Sequence, residues 1–424
     1  MQPDLIIRGA NLPDGREGVD IVVAEGLIQA VGPGIEVRAS EELDARGRLV
    51  GPPFVDCHFH MDATLSLGLP RLNRSGTLLE GIQLWGELKP LLTPEAVMER
   101  ALAYCDMAAA QGIQAIRSHV DVCDDRLVGV DALLEVKRRV RPWLELQLVA
   151  FPQDGFFRSP TARENLLRAL ERGVEVVGGI PHFERTMEDG RQSVKELMEI
   201  AAARGLLVDM HCDETDDPLS RHIESLAFEA QRLGMAGRVA GSHLTSMHSM
   251  DNYYVSKLIP LIREAGVAAI ANPLINITIQ GRHDSYPKRR GMTRVPELMA
   301  AGVPTALGQD CCMDPWYSLG SADMLEVAHM AVHVAQMTGT DGMRACFEAV
   351  TTIPARILHL DGYGLEPGCR ADMVVFEARD PVEAIRLKAT RLQVIRGGRI
   401  IARSPPRVAR LELPDRPSTV ALTR

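Results

Sequence analysis

The sequence predicts an α/β fold built on a (β/α)8 barrel, and three observations carry that expectation. Apolar runs of strand length recur at residues 55–60, 116–122, 146–152, 176–182, 206–211, 239–243, 267–272 and 303–310. Helix-like segments lie between them, and these end in a glycine followed by an apolar stretch, at Gly112, Gly173, Gly205, Gly237, Gly266 and Gly302. A glycine just past a helix end tolerates the left-handed C-cap conformation, so each marks a helix handing over to a strand. The runs also end in polar residues: His58 and His60, His119 and Asp121, Gln153, His182 and Glu184, His211 and Glu214, His243, Asn272, and Asp310. Eight strands alternating with helices over about 300 residues fit a closed barrel better than the alternative, an open doubly wound sheet. In a barrel the functional groups collect at the C-terminal strand ends, so the polar endings mark a site.

Taken in order, the chain begins with short strand-like runs at residues 5–8, 19–23 and 27–31, broken by Gly and Asp turns. The same texture returns at residues 371–376 and 392–401. A small β domain built from both termini is therefore expected, with residues 1–53 and 359–424 flanking a barrel of residues 54–358. Helix starts are visible as well: Thr93 offers an N-cap and Pro94 the first helical position.

Composition narrows the function. The chain has 424 residues, long enough for one large domain and a smaller one, and its net charge of -9 argues against a nucleic-acid surface. One basic stretch, residues 287–294, reads as a solvated loop. Eight scattered cysteines without a C-x-x-C pair fit reduced thiols rather than a disulfide frame or a structural zinc site. Residues 1–4 show no signal-peptide pattern and no apolar run reaches membrane-spanning length, so a cytoplasmic protein is expected.

The first strand run holds His58 and His60 at i and i+2, a spacing that puts both imidazoles on one face. With His211 and Asp310 they would give one divalent ion three imidazoles and a carboxylate and leave a position for water, as in catalytic sites. Such nitrogen and oxygen ligands suit zinc or iron(II). Strand alternation points Cys57 away from the face of His58, and Cys57 and Cys212 read as core thiols. Glu214, three residues past His211, is placed to carry protons, and His243 to hold the attacking water. His119 and His182 could stand behind the metal ligands or be simply buried histidines, the second reading being preferred, and His222, His248, His283, His329, His333 and His359 receive no role.

Two rival chemistries fail on residues. The compact zinc deaminases of nucleic-acid bases pair H-x-E with P-C-x-x-C; His222-Ile223-Glu224 matches the first half and the second is absent. A binuclear hydrolase of cyclic amides would carry a bridging lysine after the fourth strand, where this chain reads Gly179-Ile180-Pro181-His182-Phe183-Glu184. One metal ion is the better reading.

Several longer runs carry a resemblance: Ser75-Gly76-Thr77-Leu78-Leu79-Glu80-Gly81-Ile82, Val149-Ala150-Phe151-Pro152-Gln153, His211-Cys212-Asp213-Glu214, Asn272-Pro273-Leu274-Ile275-Asn276 and Asp314-Pro315-Trp316-Tyr317. Together with Ile180-Pro181-His182-Phe183-Glu184 they resemble bacterial cytosine deaminase, of the amidohydrolase superfamily, over nearly the whole chain. The resemblance implies a distorted barrel with a small β-sandwich, one iron or zinc ion, a homo-oligomer, and hydrolytic removal of the exocyclic amine of a free pyrimidine base. By position it makes His58, His60, His211 and Asp310 the metal ligands, and Glu214 and His243 the catalytic pair, with Asp310 sharing the proton transfers. It makes Gln153 the grip on the amide-like edge of the base, Trp316 part of the pocket wall, and Leu78 a source of backbone contacts.

One departure bears on substrate. Where the cytosine enzymes carry two acidic residues in succession, this chain reads Gln309-Asp310-Cys311-Cys312. The neighbour of the metal ligand faces ring position 5 in that family, and a thiol there removes a charge and frees about a methyl of volume. The expected substrate is therefore 5-methylcytosine, converted to thymine and ammonia. Cytosine is the nearest alternative, then isoguanine or another amino-substituted ring, and last a scaffold without catalysis.

Overall fold

The computed structural model describes residues 2–421. Eight strands, β1 (Phe54–Phe59), β2 (Ile113–Asp121), β3 (Glu145–Phe151), β4 (Val176–Gly179), β5 (Leu207–Cys212), β6 (Val239–His243), β7 (Val267–Ala271) and β8 (Thr305–Leu307), lie side by side in chain order. Every neighbouring pair is parallel. The sheet closes on itself where Asp310 N donates to His58 O at 2.8 Å and His60 N donates to Asp310 O at 3.0 Å. This is the predicted α/β barrel rather than an open sheet.

The six glycines that punctuate the sequence all have φ between 64° and 108°, as helix-to-strand handovers require. Thr93 Oγ1 accepts from Ala96 N and Pro94 opens the helix Pro94–Ala110. Two strands are shorter than their apolar runs. β4 stops at Gly179 because Pro181 begins a 3-10 turn through Phe183, which puts His182 beyond the strand. β8 spans only Thr305–Leu307: Pro304 before it has no N–H to give to the ladder, while Gly308 after it still donates to Ala271 O at 3.0 Å. A side chain at 308 would lie 2.8 Å from the Cβ of His58, so only glycine lets this strand end approach β1.

Both termini contribute sheets outside the barrel. Leu5–Ala10, Val19–Ala24, Leu27–Gly32 and Glu41–Asp44 form one, and Val50–Gly51, Met373–Phe376, Arg391–Arg396 and Arg399–Arg403 another. Their apolar faces meet through Leu5, Ile7, Ile21, Val23, Met373, Val375 and Ile395. Arg391 ties this layer to the barrel: its Nε donates to Gln111 O at 3.0 Å and its guanidinium pairs with Asp323. On these sheets we propose the boundaries expected from sequence, after residues 53 and 358. No helix among the described residues is long and apolar enough to cross a membrane.

Two expectations are corrected. Cys57 does not face away from His58, because the β1–β2 register shifts between Asp56 and Phe59 and breaks the alternation. It packs with Val55, Ala115, Ala240, Ala268 and Ala306, and its Sγ donates to Leu307 O at 3.7 Å. Cys57 and Cys212 are nonetheless fully buried thiols, as expected. The basic stretch is not simply solvated either. Arg289 binds Asp284, Ser249 Oγ at 2.6 Å and Asp216 O at 2.9 Å, while Arg294 caps Met247 O and Met250 O at 2.8 and 2.7 Å. These arginines brace the loop against the segment that follows β6.

Candidate active site

His58 and His60 leave the end of β1, His211 the end of β5, His243 the end of β6, and Asp310 follows β8. All five are buried at the C-terminal mouth of the barrel. His60 Nε2 and His211 Nε2 lie 2.9 Å apart, and Asp310 Oδ1 lies 3.4 Å from His60 Nε2 and 3.5 Å from His58 Nε2. His58 Nε2 has no hydrogen-bond partner, an orphaned buried nitrogen aimed at the same point. Burial drives all three imidazoles well below the usual histidine pKa, which keeps them in the neutral, lone-pair form a cation needs. The donor set and its orphaned atom fit one divalent zinc or iron ion, with nothing in the chemistry favouring either.

Beside this cluster, Glu214 Oε1 lies 2.9 Å from His243 Nδ1, and His243 Nδ1 lies 3.9 Å from Asp310 Oδ2. Burial opposes charge on both partners of the first pair, but each outweighs that cost for the other: Glu214 is held below, and His243 above, its ordinary range. Asn276 Nδ2 sits 3.0 Å from His243 Nδ1, and Asn272 Nδ2 3.3 Å from it. The strand ends that present these groups are bent. Asp213, His243 and Asp310 have φ of 54°, 72° and 71°, left-handed conformations that a non-glycine residue adopts at a cost. Asp213 is held in its bend by Ser220 Oγ, His222 Nδ1 and Ile223 N at 2.7, 2.8 and 2.8 Å. His222, to which the sequence assigned no role, thus anchors the turn that offers Glu214.

A cavity of about 50 Å³, the room of a few water molecules, opens onto these groups. Leu78, Gln153, Cys311 and Trp316 all line it. Leu78 begins α1 (Leu78–Leu88), which closes over the mouth. Gly81 permits that approach, since a Cβ there would come within 2.6 Å of Trp316 Cδ1. Burial pushes the Cys311 thiol pKa well up, and the neighbouring Asp310 and Asp314 carboxylates add to the shift, so the thiol is neutral.

Residues 41–402 match the amidohydrolase family. The chain belongs to this family. The amidohydrolase shares 42% identity and a TM-score of 0.93 with a 5-methylcytosine deaminase from Klebsiella pneumoniae solved with 5-fluorocytosine, over 96% of this chain and 99% of that one. It is 30% identical over 399 residues to a pterin deaminase of Rhizobium rhizogenes, covering 93% of this chain and 90% of the relative. A solved N-isopropylammelide isopropylaminohydrolase from Burkholderia multivorans is 27% identical with a TM-score of 0.83, over 95% and 99% of the two chains.

The amidohydrolase site contains histidines that the sequence reading set aside. His119 is buried as expected, but its ring centroid lies 4.3 Å from that of His58 and 4.5 Å from that of His211, and its Nε2 lies 3.8 Å from Asp209 Oδ1. His182 lines the cavity with Ile180 and Phe183, and Ile82, Ile275 and Ile279 complete the apolar wall. A polar strand ending flagged both histidines; what separates a core ring from a cavity ring is depth, which strand periodicity does not report. Burial pushes His182 down to about 4, whereas an unfolded histidine titrates near 6.5. Between those values the unfolded chain binds a proton that the folded one does not, so acid favours unfolding through this group. Relative to wild type, His182→Gln is therefore expected to gain in Tm as the pH falls from 6.5 to 4. A Tm difference that stays constant over that range contradicts a neutral His182.

Proposed function

We propose that this amidohydrolase deaminates a free cytosine-type base at ring position 4 and prefers 5-methylcytosine, giving thymine and ammonia. The observation that carries the preference is Cys311, a neutral thiol in the cavity wall directly after Asp310. The 42% identity to a 5-methylcytosine deaminase over almost the whole chain supports the same class of base.

His58, His60, His211 and Asp310 would hold a divalent ion, which would supply an acidified water, a nucleophile near neutral pH. The remaining work falls to side chains. Gln153 faces the cavity and pairs with the amide-like edge of the ring, while Trp316 and Leu78 hold the ring plane. His243 and Asp310 aim the attacking oxygen at carbon 4. Glu214 takes the proton of that water and gives it to ring nitrogen 3, which makes carbon 4 electrophilic. Carbon 4 becomes tetrahedral as its bond to oxygen forms. Asp310 takes the remaining proton of the attacking oxygen and, with Glu214, passes that one proton to the exocyclic nitrogen; the C–N bond breaks, and ammonia leaves as the carbonyl forms.

Burying one methyl contributes about 0.8 kcal/mol, and one-methylene discrimination in a pocket spans about 1–3 kcal/mol. The preference over cytosine is expected to be about tenfold to a hundredfold in kcat/KM. Ammonia release measured side by side on cytosine, 5-methylcytosine, 5-fluorocytosine and isoguanine tests it. A kcat/KM for cytosine equal to or above that for 5-methylcytosine overturns the preference, and a metal-replete protein inert on every base overturns the deaminase reading.

A further inference from the structure

Behind His58 runs a buried chain of polar groups that reaches toward the opposite end of the barrel. Ser242 Oγ lies 2.9 Å from His58 Nδ1 and donates to Asp209 Oδ1 at 2.6 Å. Arg117 Nη1 donates to Asp209 Oδ2 at 3.2 Å. The guanidinium is itself held by Gln147 Oε1 at 2.7 Å and Ile357 O at 3.1 Å. His58, Asp209 and Ser242 are 0% exposed and Arg117 1%.

A serine hydroxyl has a single proton. With Arg117 paired to Asp209, the carboxylate accepts that proton's hydrogen bond, and Ser242 has only lone pairs left for His58. Nδ1 of His58 must then carry hydrogen and Nε2 the lone pair. Nε2 is the atom without a partner, directed toward Asp310 Oδ1. His211, by contrast, has an Nδ1 with no hydrogen-bond partner. The supports come from strands that also carry the site: Asp209 lies two residues before His211 on β5, and Ser242 one residue before His243 on β6, with His211 and Ser242 in register.

We infer that Ser242, backed by Asp209 and Arg117, is a positioning residue that fixes the tautomer and orientation of His58 and so sets how tightly the site holds its cation. The inference rests on the metal reading above. A hydrogen-bonded partner on the outer nitrogen of a ligating histidine is typically worth tenfold to a hundredfold in metal affinity.

The test is zinc affinity, measured on the purified metal-free protein by competition with a chromophoric chelator. Ser242→Ala is expected to bind zinc ten- to a hundredfold more weakly and to lose it faster to EDTA, with a metal-free Tm close to wild type. Ser242→Thr keeps the hydroxyl and is expected to stay within about threefold of wild type. Wild-type affinity in Ser242→Ala overturns the inference, and so does equal weakening in both variants, or a lowered Tm with unchanged affinity. Nitrogen-15 histidine spectra of the metal-free wild type give a readout that needs no variant: the Nδ1–H tautomer is expected at His58, and the Nε2–H tautomer overturns the proposal. Wild-type protein that binds no zinc or iron(II) overturns the metal reading together with this inference, whereas normal wild-type binding with an unaffected Ser242→Ala overturns this inference alone.

Discussion

Glu214→Gln is expected to lower kcat on 5-methylcytosine by about 10²- to 10⁴-fold, the usual worth of a positioned proton carrier, while the protein keeps its metal. Glutamine matches the shape of the side chain and still meets His243, whose Nδ1 lies 2.9 Å from Glu214 Oε1. Its amide can neither take the proton of water nor pass one on to ring nitrogen 3. The effect should fall on kcat with little change in KM, because on the proposed reading the ring is gripped by Gln153 and Trp316, which line the same cavity. His243 supplies a second readout. Burial lowers its pKa and the Glu214 and Asp310 carboxylates raise it, so removing one of those charges must move its titration downward. A variant with wild-type kcat, or one that has lost its metal, would remove Glu214 from the proton pathway.

Cys311→Asp should reverse the choice of substrate. The side chain is 3% exposed, with Asp310 on one side and Asp314 close behind, and burial pushes the Asp314 carboxyl up to about 6. A third carboxyl in that corner brings polar atoms that a buried methyl cannot satisfy, while the unsubstituted ring of cytosine leaves them room for water. The ratio of kcat/KM for 5-methylcytosine over cytosine is expected to fall by tenfold or more, to one or below. Repulsion with Asp310 is expected to lower both absolute rates, which is why the ratio is the quantity to measure. Cys311→Ser is neutral and similar in size, and should move the ratio far less. A ratio unchanged in Cys311→Asp means that this position does not face ring carbon 5.

The barrel was legible because each of its devices is local. Apolar runs, the glycines at 112, 173, 205, 237, 266 and 302, and the polar residue closing each run are written within a few positions of one another. The convergence of His58, His60, His211 and Asp310 followed once the barrel was assumed, since strand ends of a barrel share one mouth. What escaped depends on register or depth. The shift between Asp56 and Phe59 turned Cys57 inward against its expected alternation. The link from Ser242 to His58 joins residues 184 positions apart across the barrel, and no spacing rule reaches that far. Arg289 and Arg294 looked like solvent charges because several of their acceptors, Asp216 O, Met247 O, Ser249 Oγ and Met250 O, lie some forty or more positions earlier in the chain, beyond the reach of a local reading.

The seam of the barrel has a consequence of its own. Among the described residues, the backbone hydrogen bonds that join the first and last strands run through Asp310, flanked by His58 and His60, and β8 is three residues long. The side chains of those same three residues are the ones that converge on the cation site. A cation seated there would act as a clasp, pinning the two ends of the sheet along this seam. Catalytic competence and closure of the cylinder would then come and go together, with the empty protein opening first along this line.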